Sequence, residues 1–251
     1  MQIARFLLGD RVRWGAVDGD DVYRIRGDRY RDPQPGRRLC SLQEVKLLAP
    51  LERTNKVVGI AANYGKTAGR DGPGIFMKQP TTVVAHMEPV IYPRTGKYIA
   101  HEAELGIVMG KTGRKVPVDD AFDYVLGYTC VNDVSALELT TNDQGVGTSV
   151  RWKHFDTFCP VGPTIVTGID GDDVTVECRV NGKVDYRFKT SEMLWGVAQL
   201  VSWVTEVMTL YPGDVISSGC PDVGEIKPRD MVEVEIEGIG VLANPVVGDV
   251  E

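Results

Sequence analysis

An α+β fold dominated by strands is what this sequence predicts, and three observations carry that prediction. Short runs rich in β-branched residues recur along the whole chain. Glycine (28) and proline (14) are spread evenly between them, as the turns of a many-stranded protein require. Only one long segment, ending near Met208, carries helical rather than strand periodicity.

The elements follow in order. RVRWGAV and DVYRIR flank Asp18-Gly19-Asp20-Asp21, a hairpin signal, and the Arg-, Asp- and Pro-rich stretch RYRDPQPGRR reads as a loop. Residues 1–52 form a small N-terminal β unit in this reading, and KVVGIAA opens a larger domain, 53–251, as a buried strand. Further strands fall at TTVVAH, KYIAHEAELGIVMG, YVLGYTCVNDVS, TIVTGI, VTVECRVNGKV and MVEVEIEGIGVL, with a short helix starting at Val118-Asp119-Asp120-Ala121-Phe122. The long helix takes Thr190 or Ser191 as N-cap. Its apolar stripe is Met193, Val197, Leu200, Val201, Val204, Val207 and Met208, and it stops at Tyr211-Pro212-Gly213-Asp214.

Composition narrows the function. At 251 residues, 43% hydrophobic and 25% charged, the chain can bury a large core without disulfides or a structural metal. A net charge of −7, a pI near 5.1 and the lack of a basic run argue against nucleic acid as partner. Five cysteines, none in a C-x-x-C pair, read as reduced thiols. No secretory leader is recognisable, and no apolar run reaches the roughly 18 residues of a membrane span. The expectation is a soluble cytoplasmic protein with no membrane partner.

The chemistry concentrates in HEAELGIVMG. Glu102 and Glu104 stand two apart in a strand, so both point to one face, opposite Ile99, Ala103, Leu105 and Ile107. Paired carboxylates in a partly buried site repel, and a divalent ion removes the conflict; oxygen ligands favour a hard ion such as Mg²⁺, Mn²⁺ or Ca²⁺. The alternative is a solvated strand face. Asp133 ends the apolar run YTCVNDVSA and supplies a third carboxylate, and Lys153, set among aromatics in RWKHFDTFCPVGP, is a candidate cation partner. His101 should face away from Glu102, His154 reads as a neutral loop residue near Lys153, and His86 has no evident role. No thiol–imidazole arrangement for covalent catalysis is evident.

These pieces carry a resemblance. VVGIAANY, IFMKQP, HEAELGIVMG, DYVLGYTCVNDVSA, KHFDTFCPVGP, TSEMLW, VMTLYPGDVISSGCP and VEVEIEGIGVLANPV, from about residue 55 to the end, are similar in kind and order to the fumarylacetoacetate hydrolase (FAH) superfamily, in its 2-hydroxyhepta-2,4-diene-1,7-dioate isomerase and acylpyruvase-like branch. The resemblance implies an FAH-type rolled mixed β-sheet with one long packed helix, a homodimer or higher homo-oligomer, and a small 2-oxo acid or acylpyruvate as substrate. It places the metal on Glu102, Glu104 and Asp133, with Mg²⁺ first, and makes Lys153 and Glu104 catalytic. Tyr64, Lys66, Arg70, Lys78 and Ser218 become candidate substrate contacts; Lys78 serves equally well as a salt-bridge partner.

Three departures shape the expected reaction. The hydrolases of the family carry a His and, three residues on, a Glu in a lid after Asn-Tyr, whereas Thr67 and Arg70 stand there in a shortened, glycine-rich segment between Gly65 and Gly74. Threonine is no general base near neutrality and arginine stays protonated. Ser135-Ala136-Leu137-Glu138-Leu139-Thr140 lacks the Arg and Gln common after the aspartate, and Ser218-Gly219-Cys220-Pro221 replaces a Thr-Gly-Thr-Pro pattern, with Cys220 read as packing rather than nucleophile. A metal-held enolate with no water-activating dyad favours isomerisation, tautomerisation or decarboxylation. C–C hydrolysis is the alternative, and a degenerate protein that binds metal and acid without turnover is a second.

Overall fold

A computed structural model describes residues 1–65, 72–140 and 150–249. Strands dominate, as the punctuated β-branched runs predict. Among the described residues a twelve-stranded sheet is ordered Gln34–Ser41, Asp21–Arg26, Arg11–Asp18, Gln2–Leu8, Cys159–Val166, Val125–Asn132, Ala103–Met109, Val215–Ser217, Val57–Ala61, Gly74–Lys78, with Lys46–Leu48 and Val83–Val84 pairing off this path. A five-stranded sheet runs Lys183–Lys189, Thr175–Val180, Met231–Ile236, Gly240–Gly248, Val90–Tyr92, and a three-stranded one joins Ser135–Ala136, Ile99–His101 and Gly224–Ile226. Pairing is mixed: Val57–Ala61 lies parallel to Val215–Ser217, whereas Ala103–Met109 is antiparallel to both its neighbours.

The predicted hairpin forms at Asp18↔Asp21 as its turn residues require, with Gly19 at φ +55°, and an earlier one turns between Leu8 and Arg11. The N-terminal strands keep a small core of their own, Ala4, Phe6, Val17, Val22 and Cys40. They also extend the main sheet, because Gln2 and Ile3 pair with Val166 and Ile165. Between them every residue of Ala103–Met109 is buried, so this strand is enclosed on both faces and the solvated-face reading of Glu104 does not hold.

The long helix is shorter than its periodicity predicts. It spans Val197–Val207, and neither Thr190 nor Ser191 caps it; Thr190–Glu192 is a separate 3₁₀ turn. Distant side chains cause the difference. Asn63 clamps Trp195 through Oδ1 (3.0 Å) and Nδ2 (3.1 Å) and accepts from Leu194 N through its carbonyl (2.8 Å), holding residues 194–195 out of the helix. Asp172 Oδ1 accepts from Val197 N at 2.7 Å and Gln199 reaches back to Gly196 N, which satisfies the free amides of the true N-terminus. At the other end Arg114 donates to the carbonyls of Thr205 and Glu206. Val197, Leu200, Val201 and Val204 face the core, but Val207 is exposed, not part of the stripe. The predicted short helix is a 3₁₀ segment, Val118–Tyr124. No helix among the described residues is long and apolar enough to cross a membrane.

The stop after the helix depends on Asp214, which is fully buried and accepts from Tyr211 N (2.8 Å), Lys56 N (2.9 Å) and Asn55 Nδ2 (3.2 Å) while pairing with Lys56 Nζ at 2.5 Å. Removing the carboxylate strands these donors. Asp214→Ala should lose about 2–4 kcal/mol, read as a lower urea midpoint at unchanged m-value.

Candidate active site

Three carboxylates and two lysines meet inside the sheet. Glu104, on Ala103–Met109, is 1% exposed, and its Oε2 accepts from Ser217 Oγ (2.5 Å) and Gly219 N (2.9 Å). Gly219 presents that amide from a turn at φ +85°, a conformation glycine adopts without strain. Glu102 precedes the same strand and is fixed at its backbone, donating to Asn132 Oδ1 (3.0 Å) and accepting from Asp133 N (2.9 Å). Its Oε1 accepts a hydrogen bond from Ser135 Oγ and lies 2.9 Å from Lys153 Nζ. Asp133 pairs through Oδ2 with Lys153 and through Oδ1 with Lys78 Nζ at 2.7 Å, and all three of these side chains are almost completely buried. Lys78 also donates to Val134 O. Phe76 and Trp152 place their rings 4.9 and 4.8 Å from Lys153 Nζ. The Phe76 ring fits because its strand neighbour is Gly59, where a Cβ would lie 2.1 Å from Phe76 Cζ.

The charges explain the ionisation. Burial lifts the Glu104 carboxyl to about 8, helped by Asp133 and Glu102. Burial also raises Glu102, against the pull of Lys153. For Asp133 the burial cost is outweighed by Lys153 and Lys78, which hold it below its ordinary value. Burial works against the Lys153 ammonium, but Asp133, Glu102 and Glu104 more than offset it and keep the amine charged. Fully ionised, three acids against two lysines leave one negative charge in excess. Glu102, Glu104 and Cys220 have ligand atoms all within 4.8 Å of one another, and Cys220 Sγ is 3.8 Å from Glu102 Oε2. Buried carboxylates side by side with a shortage of positive charge fit a divalent cation, and Glu102 and Glu104 are the residues placed to hold it.

The other candidates take varied positions. Tyr64 packs edge-on to Phe188 (5.2 Å), and its buried hydroxyl has no hydrogen-bond partner among the described residues. Burial, then Glu104, keeps that phenol protonated. Ser218 is buried, with its backbone held by Leu105 O and Asn63 and its hydroxyl 3.3 Å from Gly219 O. Lys66, Thr67 and Arg70 lie outside the described residues. His154 donates to Met77 O, and His86 accepts from Ala243 N at 3.1 Å.

A thiol–imidazole arrangement does exist, contrary to the sequence expectation. His101 Nε2 donates to Asp185 Oδ2 (2.9 Å), and its Nδ1 accepts from Cys178 Sγ at 3.1 Å. Both Cys178 and His101 are fully buried; burial pushes the thiol up and the imidazole down, so this is an uncharged tie between strands. Sequence reasoning also missed Ser217 and Ser135, which donate to the carboxylates, and Asn132, which accepts from the Glu102 amide.

Comparison with known proteins gives the family. Residues 55–247 match the family described as Fumarylacetoacetate (FAA) hydrolase C-terminal, and residues 1–50 match Rv2993c-like, N-terminal. A 5-carboxymethyl-2-hydroxymuconate delta-isomerase from Mycobacterium smegmatis superposes with a TM-score of 0.92 at 39% identity, covering 99% of this chain and 100% of that one. A 2-hydroxyhepta-2,4-diene-1,7-dioate isomerase from Mycobacterium marinum gives 0.92 at 38%, covering 100% of each. The mitochondrial oxaloacetate tautomerase Fahd2a of Rattus norvegicus is 34% identical over 229 residues, 83% of this chain and 72% of that protein. A strand-dominated α+β fold encloses the carboxylate–lysine cluster, and the relatives whose names state an activity are enzymes: isomerases, tautomerases and hydrolases. The chain belongs to the fumarylacetoacetate hydrolase superfamily.

The raised Glu104 carboxyl has a measurable consequence. Between its ordinary 4.5 and about 8 the folded protein holds a proton that the unfolded chain has released. The folded state therefore binds more protons in that window, and metal-free stability falls as pH rises through it, on the order of a few kcal/mol in total. A divalent ion that binds the deprotonated carboxylates, Mg²⁺ being the first to try at millimolar concentration, would flatten or reverse the slope. Thermal melts at several pH values with EDTA or Mg²⁺ check this, and Glu104→Gln should flatten the EDTA series.

Proposed function

We propose that this protein is a divalent-metal-dependent isomerase or tautomerase acting on a small 2-oxo acid, with oxaloacetate as the first substrate to try. The carrying observation is the buried Glu102–Glu104 pair beside Asp133 and Lys153. A divalent ion held there, Mg²⁺, Mn²⁺ or Ca²⁺, supplies Lewis-acid stabilisation of charge developing on the keto oxygen of a 2-oxo acid. Lys153 brings an ammonium held in its charged form to the same pocket, where it can stabilise the enolate or give up its proton at Nζ as charge shifts in the reaction. Asp133 and Lys78 fix Lys153 in place. The Tyr64 hydroxyl and Ser218 are available to the substrate, with Lys66 and Arg70 as further cations for its carboxylates.

The histidines favour isomerisation over C–C hydrolysis. The chain has three. Only His101 pairs with a carboxylate, and that pair is committed to Cys178 and closed off from solvent at the ring; His86 and His154 hold backbone groups. A His–carboxylate dyad that activates water for C–C cleavage is therefore missing from the described residues.

Enol–keto conversion of oxaloacetate, followed by ultraviolet absorbance, tests the reading. Wild type with Mg²⁺ should accelerate it, EDTA should abolish the effect, and Glu104→Ala should lose at least about 10²-fold in kcat/KM. Full activity in EDTA would sink metal dependence. Release of pyruvate from acylpyruvates without tautomerase activity would favour the hydrolase alternative, and silence across both would favour a binding protein.

A further inference from the structure

We infer that Cys220 is a donor to the cation site, giving it one soft ligand that turns its preference toward thiophilic ions such as Zn²⁺ and Co²⁺. The inference rests on the metal reading proposed above. Both Asp133 oxygens face lysines, Oδ1 toward Lys78 at 2.7 Å and Oδ2 toward Lys153. Among the described residues, donor atoms of Glu102, Glu104 and Cys220 gather within 4.8 Å of one another. Donors at about 2.0–2.3 Å from one ion lie at most roughly 4.6 Å apart, so this set needs only small side-chain movements to share one.

The backbone puts the sulfur there. Gly219 binds Glu104 Oε2 through its amide, so the next residue along the turn is carried to the same carboxylates. Cys220 Sγ ends 3.8 Å from Glu102 Oε2 and is only partly buried, unlike Cys40, Cys130, Cys159 and Cys178. A hydroxyl in this place would be a weak neutral oxygen. A thiol that gives its proton to solvent as the sulfur–metal bond forms becomes an anionic, polarisable ligand, which Zn²⁺ and Co²⁺ accept readily and Mg²⁺ does not.

Co²⁺ titration of the metal-stripped full-length protein tests this by spectroscopy rather than turnover. Wild type should develop a thiolate-to-cobalt charge-transfer band in the near ultraviolet. Cys220→Ser and Cys220→Thr should still bind Co²⁺ but lose the band, and calorimetry should show their Zn²⁺-over-Mg²⁺ preference falling by about tenfold or more. Both variants are checked for folding by circular dichroism; the serine is close to isosteric, so at least one remains interpretable. Co²⁺ binding to wild type without the band, or an unchanged Zn²⁺/Mg²⁺ ratio in both variants, overturns the role of Cys220 and leaves the metal reading intact. Failure of every ion to bind wild type overturns both.

Discussion

The constraint on which the rest of the site depends is the double ion pair of Asp133 with Lys153 and Lys78. Three acids cannot be enclosed in a sheet core unless positive charge is enclosed with them. Lys153 arrives on the short helix Val150–Lys153 and Lys78 at the end of Gly74–Lys78, so two segments far apart in sequence close on one carboxylate. The pairing leaves Glu102 and Glu104 under-compensated, and that imbalance is what makes the cluster receptive to a cation.

Much of this was legible in the residues. The alternation of HEAELGIVMG put both glutamates on one face, and Asp133 at the end of its strand and Lys153 among aromatics were visible as types in context. The strand-dominated fold followed from β-branched runs and turn residues. What escaped depended on neighbours distant in the chain. Whether residues 193–196 are helical is decided by Asn63 and Asp172, and whether Ser217 or Ser218 reaches Glu104 is decided by the register Gly106↔Ser217. The Cys178–His101–Asp185 tie escaped for the same reason, since its members sit on three different strands.

That tie also shows how similar constellations diverge. A thiol, an imidazole and a carboxylate in hydrogen-bond order are the parts of a nucleophilic triad. Here the thiol and the imidazole are buried, which disfavours their charged forms, and they brace the strand Ile99–His101 just ahead of Glu102. Chemistry here follows burial and charge balance more than residue type.

The junction between the N-terminal strands and the main sheet has a consequence for cooperativity. It consists of Gln2 and Ile3 on Cys159–Val166, with the Met1–Thr167 backbone bond beyond them, and of a shared apolar cluster in which Ile3, Trp14 and Ile25 pack with Val57, Val108, Val161 and Val215. The small N-terminal core is thereby joined to the sheet that carries Glu104. Opening of the first strands uncovers part of that shared cluster, so their amide protection is tied to that of the main sheet rather than lost independently of it.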